Sequence, residues 1–314
     1  MTSSRRCSKV SKIALERTAA ATGAQTLKYL LISMRPKQWT KNFMLFFGLI
    51  FSYNLRNPSL IVLTVAGFAI FCLLSSGIYL VNDLVDLEKD RKHPLKSKRP
   101  IASGKLPQAL ATFAAFLLLI VSIPLAFILN YSFGLIAVGY VTLMLAYSYG
   151  LKHLVLIDVF AIAAGFVLRA VAGAEAISVP ISPWLYVCTA LGALFLGLSK
   201  RRHELILLND DATGHRKILE EYSAPMLDQM ITIVTAMTIM GYSLYTFSAE
   251  NLPRNNSMML TIPFVLYGAF RYLYLIHLKN AGGSPEDILL KDKPLLLDVA
   301  LWVVVSAGIL YYSR

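Results

Sequence analysis

Residues 59–104 read SLIVLTVAGFAIFCLLSSGIYLV, from Ser59 to Val81, and continue as NDLVDLEKDRKHPLKSKRPIASG, from Asn82 to Gly104. The first part is a run of 23 apolar or small residues, enough for a helix to cross a bilayer core, which takes about 20. The second part places four metal-seeking side chains and a crowd of positive charge at the mouth of that helix. The stretch reads as a membrane span that ends in a charged site.

Composition supports this reading over the whole chain. Its 314 residues are 56% hydrophobic and 15% charged, with a mean hydropathy of +0.60, which points to a bilayer as the solvent. The net charge of +12 would suggest nucleic acid in a soluble protein. Here the basic residues lie between apolar segments, where topology explains them, so no nucleic-acid partner is expected. Cys7, Cys72 and Cys188 are scattered, with no CxxC pair, and indicate neither a disulfide framework nor a thiolate metal site.

The first 40 residues show no apolar core followed by a small-residue cleavage site. Leu27, Leu30, Leu31 and Met34 recur at helical spacing, with Lys28 and Arg35 toward the other side, as in a helix lying at a membrane surface. The expected organisation is a basic tail and interfacial helix over 1–36 and a membrane domain over 37–314.

Apolar runs of spanning length fall at 38–57, 59–81, 106–129, 131–149, 154–174, 181–198, 226–248, 258–278 and 294–313. The fold class predicted is all-α: a polytopic membrane protein of nine transmembrane helices. The first span is the weakest, because its purely apolar part, FMLFFGLIFSY, is short. The N-terminus and the loops after even-numbered spans carry 25 Lys and Arg residues, against 3 in the odd-numbered loops and the C-terminus. The positive-inside rule then puts the N-terminus in the cytoplasm and the C-terminus outside. The two longest loops, 82–105 and 199–225, share the cytoplasmic side.

On a helix Asn82, Asp86 and Asp90 recur at i, i+4 and i+8, with Asp83 within the same arc, so their oxygens can converge. Carboxylates that close repel one another, and a hard divalent cation relieves them. Mg²⁺ takes only one or two protein carboxylates and completes its shell with phosphate oxygens and water, so the site expects a diphosphate. Arg91, Lys92, His93, Lys96, Lys98 and Arg99 follow at once. Interleaved acids and bases suit a metal-bound polyphosphate, carboxylates on the metal and cations on the remaining oxygens. For His93 two roles stand open, donation to a phosphate and support of the loop.

This stretch, with its NDxxDxxxD and RPxxxG patterns, resembles the first acidic motif of the UbiA-type intramembrane prenyltransferase superfamily. MRPKQWTKN near the start and AYSYGLKHLVLIDVFAIAAGFVLRAVAGA in the middle extend the resemblance over nearly the whole chain. It implies nine helices around a polar cavity that faces the cytoplasm. It also implies that Lys37, Asn42, Tyr149 and Lys152 line that cavity, although Lys152 serves equally as an inside marker in its short loop.

Most members of the superfamily carry a second acidic motif, of DxxxD type, after span 6. This chain has LGLSKRRHELILLNDD there, with Lys200, Arg201, Arg202 and His203 in place of acids and only Glu204 close by. KRRHEL, YSAPMLDQM and GGSPEDILLKDKPLLL are similar to the decaprenyl-phosphate phosphoribosyltransferase branch. That resemblance implies a Mg²⁺-dependent enzyme of a bacterial cytoplasmic membrane. It would move 5-phosphoribose from 5-phosphoribosyl 1-diphosphate (PRPP) to a polyprenyl phosphate, with membrane lipid around it and self-association left open. Asp83, Asp86 and Asp90 would serve the metal and the leaving group, while Lys200, Arg201 and Arg202 would take a phosphate that the acids do not reach. Tyr222 has two readings, substrate contact and loop packing. Asp158 and Arg169, eleven residues apart and on one face of span 5, and Arg271 in span 8 are intramembrane charges, to be read either as functional or as helix-packing groups. The runner-up is a prenyltransferase with an aromatic acceptor and a degenerate second motif. A transporter is a more distant alternative, since it leaves the acidic cluster unexplained.

Overall fold

The computed structural model describes residues 23–180, 182–209, 221–249, 252–253, 255–279, 288 and 291–312. The basic tail at 1–22, Asp210 and Asp211, and the GGSPEDILLKDKPLLL stretch up to residue 290, apart from Ile288, lie outside them. Among the described residues all regular structure is helical, as the apolar runs require. In chain order the helices are α1 (23–33), α2 (Phe46–Phe51), α3 (Pro58–Val85), α4 (Leu87–Lys92), α5 (Gln108–Leu129), α6 (Tyr131–Tyr149), α7 (Ile157–Ala176), α8 (Pro183–Asn209), α9 (Ala224–Ser248), α10 (Ile262–Leu278) and α11 (Lys293–Tyr312). Seven of them are long and apolar enough to cross a membrane: α3, α5, α6, α7, α9, α11, and α10 together with the turn before it. The chain is an integral membrane protein by that measure.

Local chemistry sets several of the helix starts. The Asn57 side chain accepts from the backbone N–H groups of Ser59 and Leu60 at the head of α3, and Asn130 does the same for Ser132 and Phe133 in α6. Ser223 caps α9 through the Met226 N–H. Each cap satisfies donors that have no partner within the helix.

The expected first span is not one helix. Pro36–Leu45 winds as a 3₁₀ helix and only Phe46–Phe51 is α-helical. PKQWTKN offers no continuous apolar stripe, and six α-helical residues rise only about 9 Å against a core of about 30 Å. Unwound backbone at this depth is tolerated where protein covers it. Here α7 covers it at very short range: a Cβ on Gly173 would lie 2.0 Å from the Leu45 carbonyl oxygen, and one on Gly48 would lie 2.7 Å from Ala174 Cα.

Helices in lipid gain little from hiding apolar surface, so close packing must hold them together. α7 is built for that purpose. Ala161, Ala163, Gly165, Ala170, Ala172, Gly173, Ala174 and Ala176 are all buried on it, and α3 and α6 close over it through Phe71, Leu74, Phe133 and Tyr140. A second packed group joins α8, α9 and α10 through Leu198, Leu227, Ile231 and Leu275. α5 turns Phe113, Phe116, Ile120 and Ile128 outward, the face expected toward lipid. The ends of α3, α6, α8 and α10 meet the beginnings of α5, α7, α9 and α11 at one end of the bundle, where the charged loops collect.

Candidate active site

The last turn of α3 delivers Asn82 and Asp83, and the helix stops at Asp86 before α4 begins. Asp83 is buried and accepts from Arg35 and from Arg99 Nη1, the latter at 3.0 Å. The same Arg99 nitrogen reaches Asp90 Oδ2 at 2.5 Å. One guanidinium therefore clamps two acids, while Arg35 supplies a second positive charge from a left-handed backbone position, φ 55°, just ahead of Pro36. Asp86 has a different partner: Lys152 Nζ, from the turn between α6 and α7, donates to its Oδ1 at 2.6 Å.

This corrects the expectation that all four oxygens converge. Among the described residues no group of three His, Cys, Asp or Glu side chains is placed to hold a metal. Asp83 follows Asn82 by one residue, about 100° around the helix, and buried carboxylates so close must be neutralised. Arg35 and Arg99 do this. The donor set that fits Mg²⁺ is smaller: the half-buried Asn82 and Asp86, one turn apart, offer hard oxygens in the number such an ion takes from a protein. The Lys152 ammonium already meets Asp86 as a cation would.

The neighbouring bases divide by task. His93 Nδ1 accepts from the backbone N–H groups of Leu95 and Lys96, at 3.2 and 3.3 Å, so its ring supports the turn that leads to Arg99. Exposed Arg91 pairs with Glu88 at 2.7 Å. Lys96 is half-buried, and Lys37 and Tyr149 are exposed, Tyr149 by 68%. Asn42 is not at a cavity surface. It is fully buried, donates toward Cys72 Sγ and Ser75 Oγ, and accepts from Arg169 Nε at 2.8 Å.

Arg169 also donates to the Gly165 carbonyl and to the Tyr140 hydroxyl, and so ties the unwound segment to α7 and α6. Asp158 and Arg169 share a helix face yet serve separate networks. Both act in helix packing.

The second basic cluster departs furthest from expectation. Arg201 is only 2% exposed. Its Nε donates to Asp158 Oδ2 at 2.6 Å, its Nη1 to Glu204 at 2.5 Å and its Nη2 to the Tyr147 hydroxyl at 3.3 Å. Arg202 is held by Asp228 of α9 and the Ile276 carbonyl of α10. Both are already neutralised within the protein, Arg201 by Asp158 of α7 and by Glu204 one turn along α8, and Arg202 by Asp228 of α9. Lys200 is half-buried at the same level. Tyr222 packs: its hydroxyl donates to Asp158 Oδ1 at 3.0 Å and accepts from the Leu156 N–H at 2.7 Å, and burial pushes the phenol up to about 12, so it stays protonated. Arg271 pairs with Asp292, and that hydrogen bond holds the Asp292 carboxyl below its usual range.

Sequence reasoning missed Arg35, Tyr147 and Asp228 as partners. Arg35 stood inside the MRPKQWTKN segment and Asp228 inside YSAPMLDQM, but nothing in either says which charge it meets. Nearer the other end of the bundle lies an apolar cavity of about 360 Å³, lined by Phe47, Phe51, Phe166, Trp184, Tyr245 and Trp302 among others.

The model of the UbiA prenyltransferase family matches residues 42–286. The chain belongs to that family. Among UbiA relatives, the decaprenyl-phosphate phosphoribosyltransferase of Mycolicibacterium smegmatis is 33% identical over 302 residues, covering 90% of this chain and 93% of the relative. The enzyme of the same name from Corynebacterium glutamicum is 34% identical over 278 residues, 86% of this chain and 83% of that one. The UbiA homolog of Archaeoglobus fulgidus, solved bound to DMAPP and Mg²⁺, superposes with a TM-score of 0.68 at 19% identity, over 90% of this chain and 99% of that one. That likeness places the fold within the UbiA family.

Proposed function

We propose that this protein transfers 5-phosphoribose from PRPP to a polyprenyl phosphate and releases pyrophosphate. The observation that carries this reading is the identity of about a third, over nine-tenths of the chain, with decaprenyl-phosphate phosphoribosyltransferases. A lipid phosphate oxygen forms the new bond to ribose C1 as the C1–O bond to the diphosphate breaks. The attacking group is already an anion near neutral pH and needs no general base, which suits a site with no nucleophile–base pair among the described residues.

Asn82 and Asp86 are the residues that would hold Mg²⁺, beside Asp83 and Asp90 under their Arg99 clamp. When bound, the ion neutralises charge on the departing diphosphate. Lys152 and Arg99, whose present partners are these same acids, and Lys96 and Lys37 beside them supply cations for phosphate oxygens. Arg91, Tyr149 and Lys200 flank the same end as lesser contacts. Holding two phosphorylated substrates together against repulsion is the task left to the protein. The apolar cavity, farther from the charged end, is suited to isoprene units of the lipid that lie beyond its phosphate-bearing end.

In the membrane, the broken segment 36–51 completes nine crossings with α3 and α5–α11. The charged end and its polar cavity face the cytoplasm, where the positive-inside rule puts it. The division of the chain is a cytoplasmic basic tail and interfacial helix, 1–36, and a catalytic domain, 37–314. The test is incubation of the purified protein with PRPP, Mg²⁺ and a polyprenyl phosphate, followed by mass spectrometry of the lipids. A lipid-linked pentose phosphate is expected. Consumption of a prenyl diphosphate with an aromatic acceptor, and none of PRPP, overturns the reading.

A further inference from the structure

The turn between α6 and α7 holds Lys152 against Asp86, and its exit is strained. Leu156 has φ 66° and ψ −43°, and the Ile157 N–H donates back to the Val155 carbonyl at 2.7 Å. Together these make a γ-turn of the rare, strained kind, centred on a residue that is not glycine. The central N–H of such a turn points away from it and needs an acceptor. Tyr222, from the far side of the second loop, supplies one at 2.7 Å. Its own proton goes to Asp158 Oδ1, whose other oxygen is held by Arg201. Tyr222 is 4% exposed and Asp158 0%, so water does not compete for these bonds. Both hydrogen-bonding functions of the phenol are thus spent inside the protein.

We infer that Tyr222 is a positioning residue: it pins the strained Leu156 turn, and through that turn sets Lys152 on Asp86. The first acidic motif and the second loop then behave as one unit, joined through Tyr222 and the buried Asp158–Arg201 pair. Lys152 is 2% exposed and lies four residues before Leu156, within the 3₁₀ turn Leu151–His153. Little chain separates the pin from the ion pair.

The kinetic part of the test rests on the phosphoribosyl reading, and the exchange part does not. Amide hydrogen exchange, measured on the full chain in detergent without substrate, is expected to quicken on the order of tenfold in peptides covering 150–158 of Tyr222→Phe, the yield of about one lost hydrogen bond. Helices elsewhere should exchange as in the wild type. In turnover, kcat/KM for PRPP should fall on the order of tenfold while KM for polyprenyl phosphate holds. Adding Leu156→Gly, which adopts the turn without strain, should recover protection of 150–158 and part of the turnover. Unchanged exchange in Tyr222→Phe, whether or not turnover falls, overturns the proposal, since a fall without quickened exchange means direct substrate contact. So does a double variant no better protected than the single one. A wild-type protein that ignores PRPP would defeat the proposed function and leave the exchange result to decide this inference.

Discussion

The two charged loops at one end of the bundle read alike in sequence and differ in structure. In 82–105 one guanidinium is shared by Asp83 and Asp90, while Asn82, Asp86, Lys96 and Arg99 stay half-buried at the edge of the cluster. In 199–209 and 221–228, Arg201 and Arg202 are committed to Asp158, Glu204 and Asp228. A run of basic residues therefore says little about ligand binding until its partners are known. What separates the two here is access: Asn82, Asp86, Lys96 and Arg99 stay half-buried, whereas Arg201 is 2% exposed.

The sharpest way to break this contrast is Arg201→Met. It leaves Asp158 with one buried oxygen uncompensated, and removal of one member of a buried pair costs about 3–5 kcal/mol. A large loss of thermal stability in detergent is expected, with the surviving folded fraction still binding PRPP. Adding Asp158→Asn should return most of the stability, because a buried pair removed whole is far less costly than one removed by half. Wild-type stability with a selective loss of PRPP or polyprenyl phosphate affinity would make Arg201 a ligand, and the two loops would be equivalent after all.

Asp86→Asn tests the other side of the comparison. It removes charge from a half-buried helix end and should leave the helices inserted. Turnover should drop by roughly tenfold to more than a hundredfold, the worth of a charge-assisted contact of about 1.5–3 kcal/mol, with a raised requirement for Mg²⁺. A variant that keeps more than about a tenth of the wild-type rate, a loss under about 1.4 kcal/mol, would remove Asp86 from the metal site.

Gly173→Ala sits between the loops and the membrane interior. Its added carbon would meet the Leu45 carbonyl at 2.0 Å, so the unwound segment must move, and overpacking of this kind costs about 1–3 kcal/mol. Thermal unfolding should show the loss, and a neutral outcome would mean that 36–51 does not pack on α7 this closely.

Much of the fold was legible because length and apolar content suffice to place a membrane helix. α3, α5, α6, α7, α9, α10 and α11 lie where the apolar runs put them. The winding of the first span was not legible because FMLFFGLIFSY is apolar whether it is wound as α or 3₁₀, and what decides is the polar PKQWTKN before it and the two glycine contacts with α7, which hydropathy does not encode. The acids were legible by their spacing, but their partners were not: Arg35 stands 48 residues from Asp83, and Lys152 stands 66 from Asp86. Periodicity relates residues on one helix only. Charge pairing across helices is decided by packing, and for that reason the buried pair of Arg201 with Asp158 of another helix could not be read from KRRHEL.

The smallest expected effect concerns His93, where the sequence left two roles standing. Its Nδ1 receives two backbone N–H groups at the head of the turn that carries Lys96 and Arg99. An asparagine carbonyl can accept the same donors, as it does at helix starts in this protein. His93→Asn should then keep turnover within about threefold of wild type, while His93→Ala should lose roughly another factor of five, the worth of about one net hydrogen bond, by loosening Arg99 from Asp83 and Asp90. Were the imidazole instead a donor to substrate phosphate, asparagine and alanine would fail alike and by more than about tenfold. Equal, severe defects in the two variants would move His93 from the frame of the first loop to its working face.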